Sequence, residues 1–241
     1  MSELFNLEDI APVSKPRKAT EKSTWIFYSP PGVGKTLLLG SADEVEAMSP
    51  VILLDFEGGA VTLEGKYDNV DVIQIDKWET GAKVIEALVH NKTKYKTVGF
   101  DSLGSAQDCI KEWFERTTKE DNGYAVWAAV RDKLVASFKA LHMTDYNVIA
   151  TAHAERDTDE FSRQRTVRPH FLGKKSHIDI PKIADFIGYL FIEESEDGVK
   201  HRVLQFEADD NVVTKNRAGG RLPDYVVDPT FAKLHDALNA E

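Results

Sequence analysis

Trp25-Ile26-Phe27-Tyr28-Ser29-Pro30-Pro31-Gly32-Val33-Gly34-Lys35-Thr36 is an apolar run that ends in a glycine-punctuated loop, and its reading decides the fold. Trp25 to Tyr28 read as a short buried strand, and Leu37 to Leu39 as the apolar start of a helix. A loop of this spacing between a strand and a helix wraps its backbone N–H groups around the phosphates of a nucleotide. Lys35 is expected to reach the β- and γ-phosphates, with the Thr36 hydroxyl on Mg²⁺. Ser29, Pro30, Pro31, Gly32, Val33, Gly34, Lys35 and Thr36 thus form the expected ATP cradle, helped by the positive end of the helix. Ser29 stands where the strict pattern has glycine, so the turn has to be made with a Cβ present. An ordinary strand-turn-helix corner reads the same way over Gly34-Lys35-Thr36; the preceding strand and following helix favour the nucleotide site.

The chain has 241 residues, 42% of them hydrophobic, which is enough for one sizeable core. No run approaches a membrane span and the first residues lack an apolar signal core, so a cytoplasmic protein is expected. Cys109 is the single cysteine, which excludes an internal disulfide framework. It falls on an apolar helix face and reads as a core thiol. The net charge of −10 argues against nucleic-acid binding unless a basic patch is found locally. Residues 1–22 are polar and prolyl and read as an arm, in which only Leu4, Phe5, Leu7 and Ile10 have anything to bury. Residues 23–241 read as one domain.

Strand-like and helix-like segments alternate beyond the loop. Val51–Asp55, Val70–Ile75, Thr97–Asp101 and Asn147–Thr151 read as strands. Helical spacing marks Gly81–His90, the stretch carrying Ala106, Cys109, Ile110, Trp113 and Phe114, and the stretch from Trp127 to Leu141. Trp113 and Trp127 sit on these apolar faces and read as core. The alternation predicts an α/β fold with a mostly parallel central sheet and helices on both faces. Phe186–Glu193 and Arg202–Glu207 read as adjacent strands of a C-terminal β-rich extension, joined through an acidic turn, before a short helix near Phe231–Leu238. The segment from His153 to Pro181 shows neither period.

What ends each strand is informative, because ligands of open α/β sheets collect at the carboxyl ends of parallel strands. Asp101 suits a carboxylate serving Mg²⁺, or else a helix N-cap before Leu103; a phosphate loop needs a metal partner, which favours the first. Glu57 precedes Gly58 and Gly59, so its backbone is expected to be exposed and mobile. Its carboxylate is placed to orient a water against the γ-phosphate, with a solvated loop glutamate as the plain alternative. His153 is either a γ-phosphate contact or a structural histidine at a strand end.

These stretches together resemble a RecA-like P-loop ATPase. More narrowly, the chain is similar to phage-type single-strand annealing and recombination proteins built on a minimal RecA core, a group often described as AAA-type ATP-binding proteins. Ser29–Thr36, Leu53–Gly59, Val98–Ser102, Val148–His153 and Lys215–Gly219 carry the likeness over most of residues 24–240. The resemblance implies that Glu57 is the general base and His153 the γ-phosphate sensor, although many relatives have glutamine there. It implies that Lys215 and Arg217 reach across a subunit interface to a neighbour's ATP, as an arginine finger does. An exposed basic turn before Gly219 and Gly220 fits the same residues. It also places DNA-binding loops after the fourth strand.

There, Arg163 to Lys175 holds Arg163, Arg165, Arg168, Lys174 and Lys175 without one acid, with Phe171 and His170 interleaved. Such a strip suits a phosphate backbone with a ring stacked on a base; a solvated loop or a subunit contact is the bland reading. The expectation is an oligomeric, Mg²⁺-dependent, DNA-dependent ATPase that anneals single-stranded DNA or exchanges strands in phage recombination, in the host cytoplasm, with a single-strand DNA-binding protein as a candidate partner. The competing readings are a nucleotide-gated assembly protein without DNA binding and a small-molecule phosphotransferase with an arginine lid drawn from Arg156, Arg163, Arg165 and Arg168. Glu57 and the Lys215-Asn216-Arg217 segment argue against the second.

Overall fold

The computed structural model describes residues 20–118, 123–158, 165–173 and 175–240, together with Ile10, Lys15 and Lys18. Strand β1 (Thr24–Ser29) is buried along its whole length. Its side chains alternate between two cores, as the twofold period of a strand requires. Ile26 and Tyr28 face one core, Trp25 and Phe27 the other. Strands β2 (Val51–Asp55), β3 (Val70–Gln74), β4 (Thr97–Asp101) and β5 (Asn147–Thr158) complete the parallel part of the sheet.

Helices α2 (Trp78–His90), α3 (Leu103–Thr117), α4 (Gly123–His142) and α5 (Ser176–Ile183) cover one face. The other is covered by α1 (Lys35–Gly40), the 3-10 turn that continues it, and α6 (Phe231–Asn239). This is the α/β architecture with helices on both faces that the alternation predicts. Trp113 and Trp127 pack against the core, half-buried, each with a lysine over its ring (Lys133 and Lys111). Cys109 is likewise half-buried against it, and burial raises its thiol pKa.

The C-terminal strands are β7 (Phe186–Glu194), β8 (Lys200–Gln205), β9 (Lys215–Asn216) and β10 (Tyr225–Val227). β7 is parallel to β1, while β8, β9 and β10 pair antiparallel with their neighbours. The order is β10-β8-β7-β1-β5-β4-β2-β3. β5 therefore lies between the phosphate-loop strand and the Asp101 strand.

One segment departs from the sequence reading. β5 does not stop at Thr151 but runs on to Thr158, where it pairs antiparallel with β6 (Arg165–Pro169) as a hairpin projecting from the sheet. α5 follows. The hairpin escapes periodicity because its exposed residues are mostly charged, so no apolar face alternates along it. Among the described residues no helix is long and apolar enough to cross a membrane.

Candidate nucleotide site

The loop between β1 and α1 makes its turns at glycine. Gly32 has φ 77° and Gly34 φ 111°, left-handed values that a Cβ would strain. Ser29, by contrast, ends β1, and among the described residues the one non-glycine with positive φ is Asp228. Serine is therefore tolerated at this position because no left-handed turn is asked of it. Its Oγ donates to Pro30 O at 2.7 Å and accepts from Lys35 Nζ at 3.3 Å, which lays the lysine back across the loop. Lys35 is 7% exposed, and burial lowers its pKa, opposed by the Glu57 and Asp101 carboxylates.

Asp101 is the hub. Its Oδ2 accepts the Thr36 hydroxyl at 2.6 Å, and its Oδ1 accepts the Thr151 hydroxyl from β5. Its carboxyl is 2% exposed and its pKa is raised, first by burial, against the two hydroxyl hydrogen bonds. The N-cap of α3 is Ser102, whose Oγ accepts from Ser105 N at 3.3 Å. Asp101 is thereby free of the capping role that the sequence left open. A threonine hydroxyl beside a buried carboxylate is a hard-oxygen donor set, and Thr36 and Asp101 would suit a hard cation such as Mg²⁺. Among the described residues no three His, Cys, Asp or Glu side chains gather into a metal cage.

Glu57 is not carried on a loose backbone. Asp55, at the end of β2, accepts the N–H groups of Glu57, Gly58, Gly59 and Ala60 at 3.0, 2.7, 3.3 and 3.1 Å. This Asx-type capping fixes the loop and corrects the expectation of mobility. The Glu57 carboxylate meets His153 Nε2 at 2.9 Å. A carboxylate only accepts, so Nε2 carries the hydrogen. His153 Nδ1 is buried with no partner among the described residues.

Lys35, Thr36, Asp101, Glu57 and His153 therefore converge at the carboxyl ends of β1, β2, β4 and β5. Sequence reasoning passed over three further residues here. Asp55 could have been found from its place two residues before a Glu and a Gly-Gly pair. Thr151 reads in the sequence only as the end of a strand. Arg202 on β8 donates through Nε to Val33 O at 2.8 Å, and nothing local in the sequence announces that contact.

The outlying residues fare differently. Lys215 Nζ donates to Pro181 O and Lys182 O, both at 3.1 Å, capping the C-terminus of α5. Within the single chain this is where its ammonium is held. Arg217 is exposed and pairs with Asp185 at 3.1 Å. Asp185 N bonds Thr24 O at the first residue of β1, so Arg217 sits about 16 Å of strand away from its own phosphate loop.

In the basic strip, Phe171 is 2% exposed and part of the core, so its ring is not available to a base. Arg168 pairs with Asp157 at 2.9 Å and lies 3.5 Å from Glu155, both on β5, and His170 bonds Glu155 at 3.1 Å. The run without acids along the chain is thus partly neutralised across the hairpin. Arg165 and Lys175 are exposed. Arg163 and Lys174 lie outside the described residues, as do Leu4, Phe5 and Leu7 of the arm.

A family model described as an AAA domain matches residues 21–218. No curated protein matches the chain. Among solved structures, the ATPase domain of G40P is similar at 15% identity and a TM-score of 0.48, over 82% of this chain and 78% of that one. The RadB recombinase has 15% identity and a TM-score of 0.45, over 78% and 82%. The flagellar accessory protein FlaH from Methanocaldococcus jannaschii has 12% identity and a TM-score of 0.44, over 85% and 84%.

Proposed function

Since the chain belongs to the AAA domain family and has a RecA-like P-loop ATPase core, we propose that it is an Mg²⁺-dependent, oligomeric ATPase that binds single-stranded DNA and promotes annealing or strand exchange. The observation that carries the ATPase part is the hub at Asp101, one carboxylate holding Thr36 of the phosphate loop and Thr151 of β5. Lys35 and the loop N–H groups would bind the β- and γ-phosphates, and Thr36 and Asp101 would hold Mg²⁺, which would supply neutralisation of phosphate charge. Glu57, steadied by His153, orients the attacking water and takes its proton at a carboxylate oxygen. Arg217 of the adjacent subunit stabilises charge on the transferring phosphoryl group.

DNA contact is supported by continuity of chain. β5 runs without a break from Thr151 and His153 into the hairpin that carries Arg156 and Arg165. A second reading, a nucleotide-gated assembly protein that binds no DNA, is favoured by the pairing of Arg168 with β5 carboxylates and by the burial of Phe171. Steady-state ATP turnover with and without single-stranded DNA, across a salt series and beside Lys35→Ala, decides between them. Stimulation that fades with salt and disappears in the mutant supports the DNA-dependent enzyme. Turnover indifferent to DNA at low salt gives the assembly reading.

A further inference from the structure

The stretch Asp55-Phe56-Glu57-Gly58-Gly59 does more than end a strand. Gly58 takes a left-handed φ of 79°, which lets the successive N–H groups of residues 57–60 turn onto one carboxylate. A concavity of consecutive backbone N–H groups is an anion site. Here the anion is the chain's own. Asp55 is 0% exposed, and both its oxygens are turned to this loop, Oδ1 to Glu57, Gly58 and Gly59 and Oδ2 to Ala60.

The root of the loop is pinned on both sides. Ile75 N donates to Asp55 O at 2.8 Å, and Phe56 N donates to Asp101 O at 2.6 Å. The Phe56 ring is buried and stacks on Phe100, with 4.8 Å between centroids. Further along, a Cβ on Gly59 would lie 3.6 Å from Thr36 Oγ1 and 3.8 Å from Asp101 Oδ2, so the loop runs close against that pair. Glu57 leaves the loop between these fixed points and meets His153 Nε2. Where its carboxylate stands is thus set by a backbone that the Asp55 carboxylate gathers in.

We propose that Asp55 is a positioning residue for ATP hydrolysis, acting through Glu57 by fixing the backbone that carries it, and neither a second base nor a metal ligand. The proposal rests on the ATPase reading and deepens it. Oδ1 takes three of the four N–H groups, so the amide oxygen of an asparagine can stand in for it. What the loop needs there is an acceptor, and a negative charge is dispensable. A reacting group displaced by about 1 Å costs about 10²-fold in rate.

Single-turnover ATP hydrolysis, calorimetric ADP binding and amide hydrogen exchange on the full chain test it. Asp55→Ala should speed exchange at residues 57–60 by about tenfold or more. Its turnover should fall about 10²-fold while ADP affinity stays within about threefold. Asp55→Asn should restore protection at residues 57–59 and return turnover to within about tenfold of wild type. Adding Asp55→Ala to Glu57→Gln should cost less than about threefold more, because the residue acted through is already disabled. Gly58→Ala strains the same loop without touching Asp55 and should give the same split between turnover and affinity, which serves if Asp55→Ala does not fold. A loss in Asp55→Asn as deep as in Asp55→Ala, with protection retained, makes the charge itself essential and overturns the positioning role. A fully additive loss in the double variant overturns action through Glu57. Normal turnover in Asp55→Ala overturns the proposal outright, and an equal loss of ADP affinity makes Asp55 a support of the phosphate loop instead. Wild-type protein that binds ADP yet hydrolyses no ATP removes the ATPase reading itself.

Discussion

His153 Nε2 lies 2.9 Å from Glu57 Oε1, so the residue expected to sense the γ-phosphate and the residue expected to activate water are joined side chain to side chain. Their roles are therefore not separable. Glu57→Gln should leave ADP affinity within a few-fold and lower turnover by about 10²-fold or more. His153→Gln retains an N–H for the carboxylate and should lose less turnover than His153→Ala. Single-turnover hydrolysis beside equilibrium binding gives both quantities, and normal hydrolysis by Glu57→Gln would sink the assignment.

Thr151→Val removes a hydrogen bond from a carboxylate that burial already disfavours as an anion. The expected cost is about 1–3 kcal/mol of stability in denaturant unfolding. Turnover should also need more Mg²⁺, because Asp101 loses the hydroxyl that orients it. An unchanged Mg²⁺ titration would mean that Asp101 does not serve the metal.

Lys215 and Arg217 are two residues apart yet should behave differently. Lys215→Ala strips two carbonyl contacts from the end of α5 and should lower the melting temperature without altering how ATPase activity depends on protein concentration. Arg217→Ala breaks an exposed pair worth at most about 1 kcal/mol. Its turnover should nonetheless fall by about 10³-fold under conditions where the wild type assembles. A loss that ignores assembly would place Arg217 in service of its own subunit.

The lowered pKa of Lys35 makes nucleotide binding pH-dependent. Bound phosphates favour the charged amine, so affinity should fall as pH rises through the depressed value, which lies below 10.5. Lys35→Arg stays charged and should give a flat profile if it binds. The sign for the unliganded fold is opposite. The unfolded chain holds this proton more tightly, so this group's contribution to stability rises with pH between the depressed value and 10.5.

Gly99 in β4 faces Leu39 and Leu53, whose methyl carbons lie 2.7 and 2.9 Å from where its Cβ would be. Gly99→Ala should cost about 1–3 kcal/mol by overpacking the core beneath α1. A smaller loss in urea unfolding would show that α1 yields there.

The parts legible in the sequence are those whose signals are local. A buried run beside a glycine loop gives β1 and α1, apolar spacing gives α3 and α4, and the Glu194–Gly198 turn gives the β7–β8 pair. The hairpin of β5 and β6 was not legible, because its charges satisfy one another across the strands, as Arg168 does with Glu155 and Asp157. Phe171 reads as an accessible ring because it stands among basic residues, although in the fold it joins the core, its ring 6.0 Å from that of His177 on α5. Arg202 meets Val33 across 169 positions, a pairing that only the folded sheet creates.

Arg217 is anchored beside the first residue of β1, and the phosphate loop follows the last. Where subunits join head to tail, each Arg217 serves the phosphate loop of the next one along. An open chain of n subunits then has n − 1 completed sites, and a closed circle has n. Specific activity should accordingly climb with chain length toward a plateau, or jump to it at closure, and the shape of that curve would tell the two assemblies apart without an image of either.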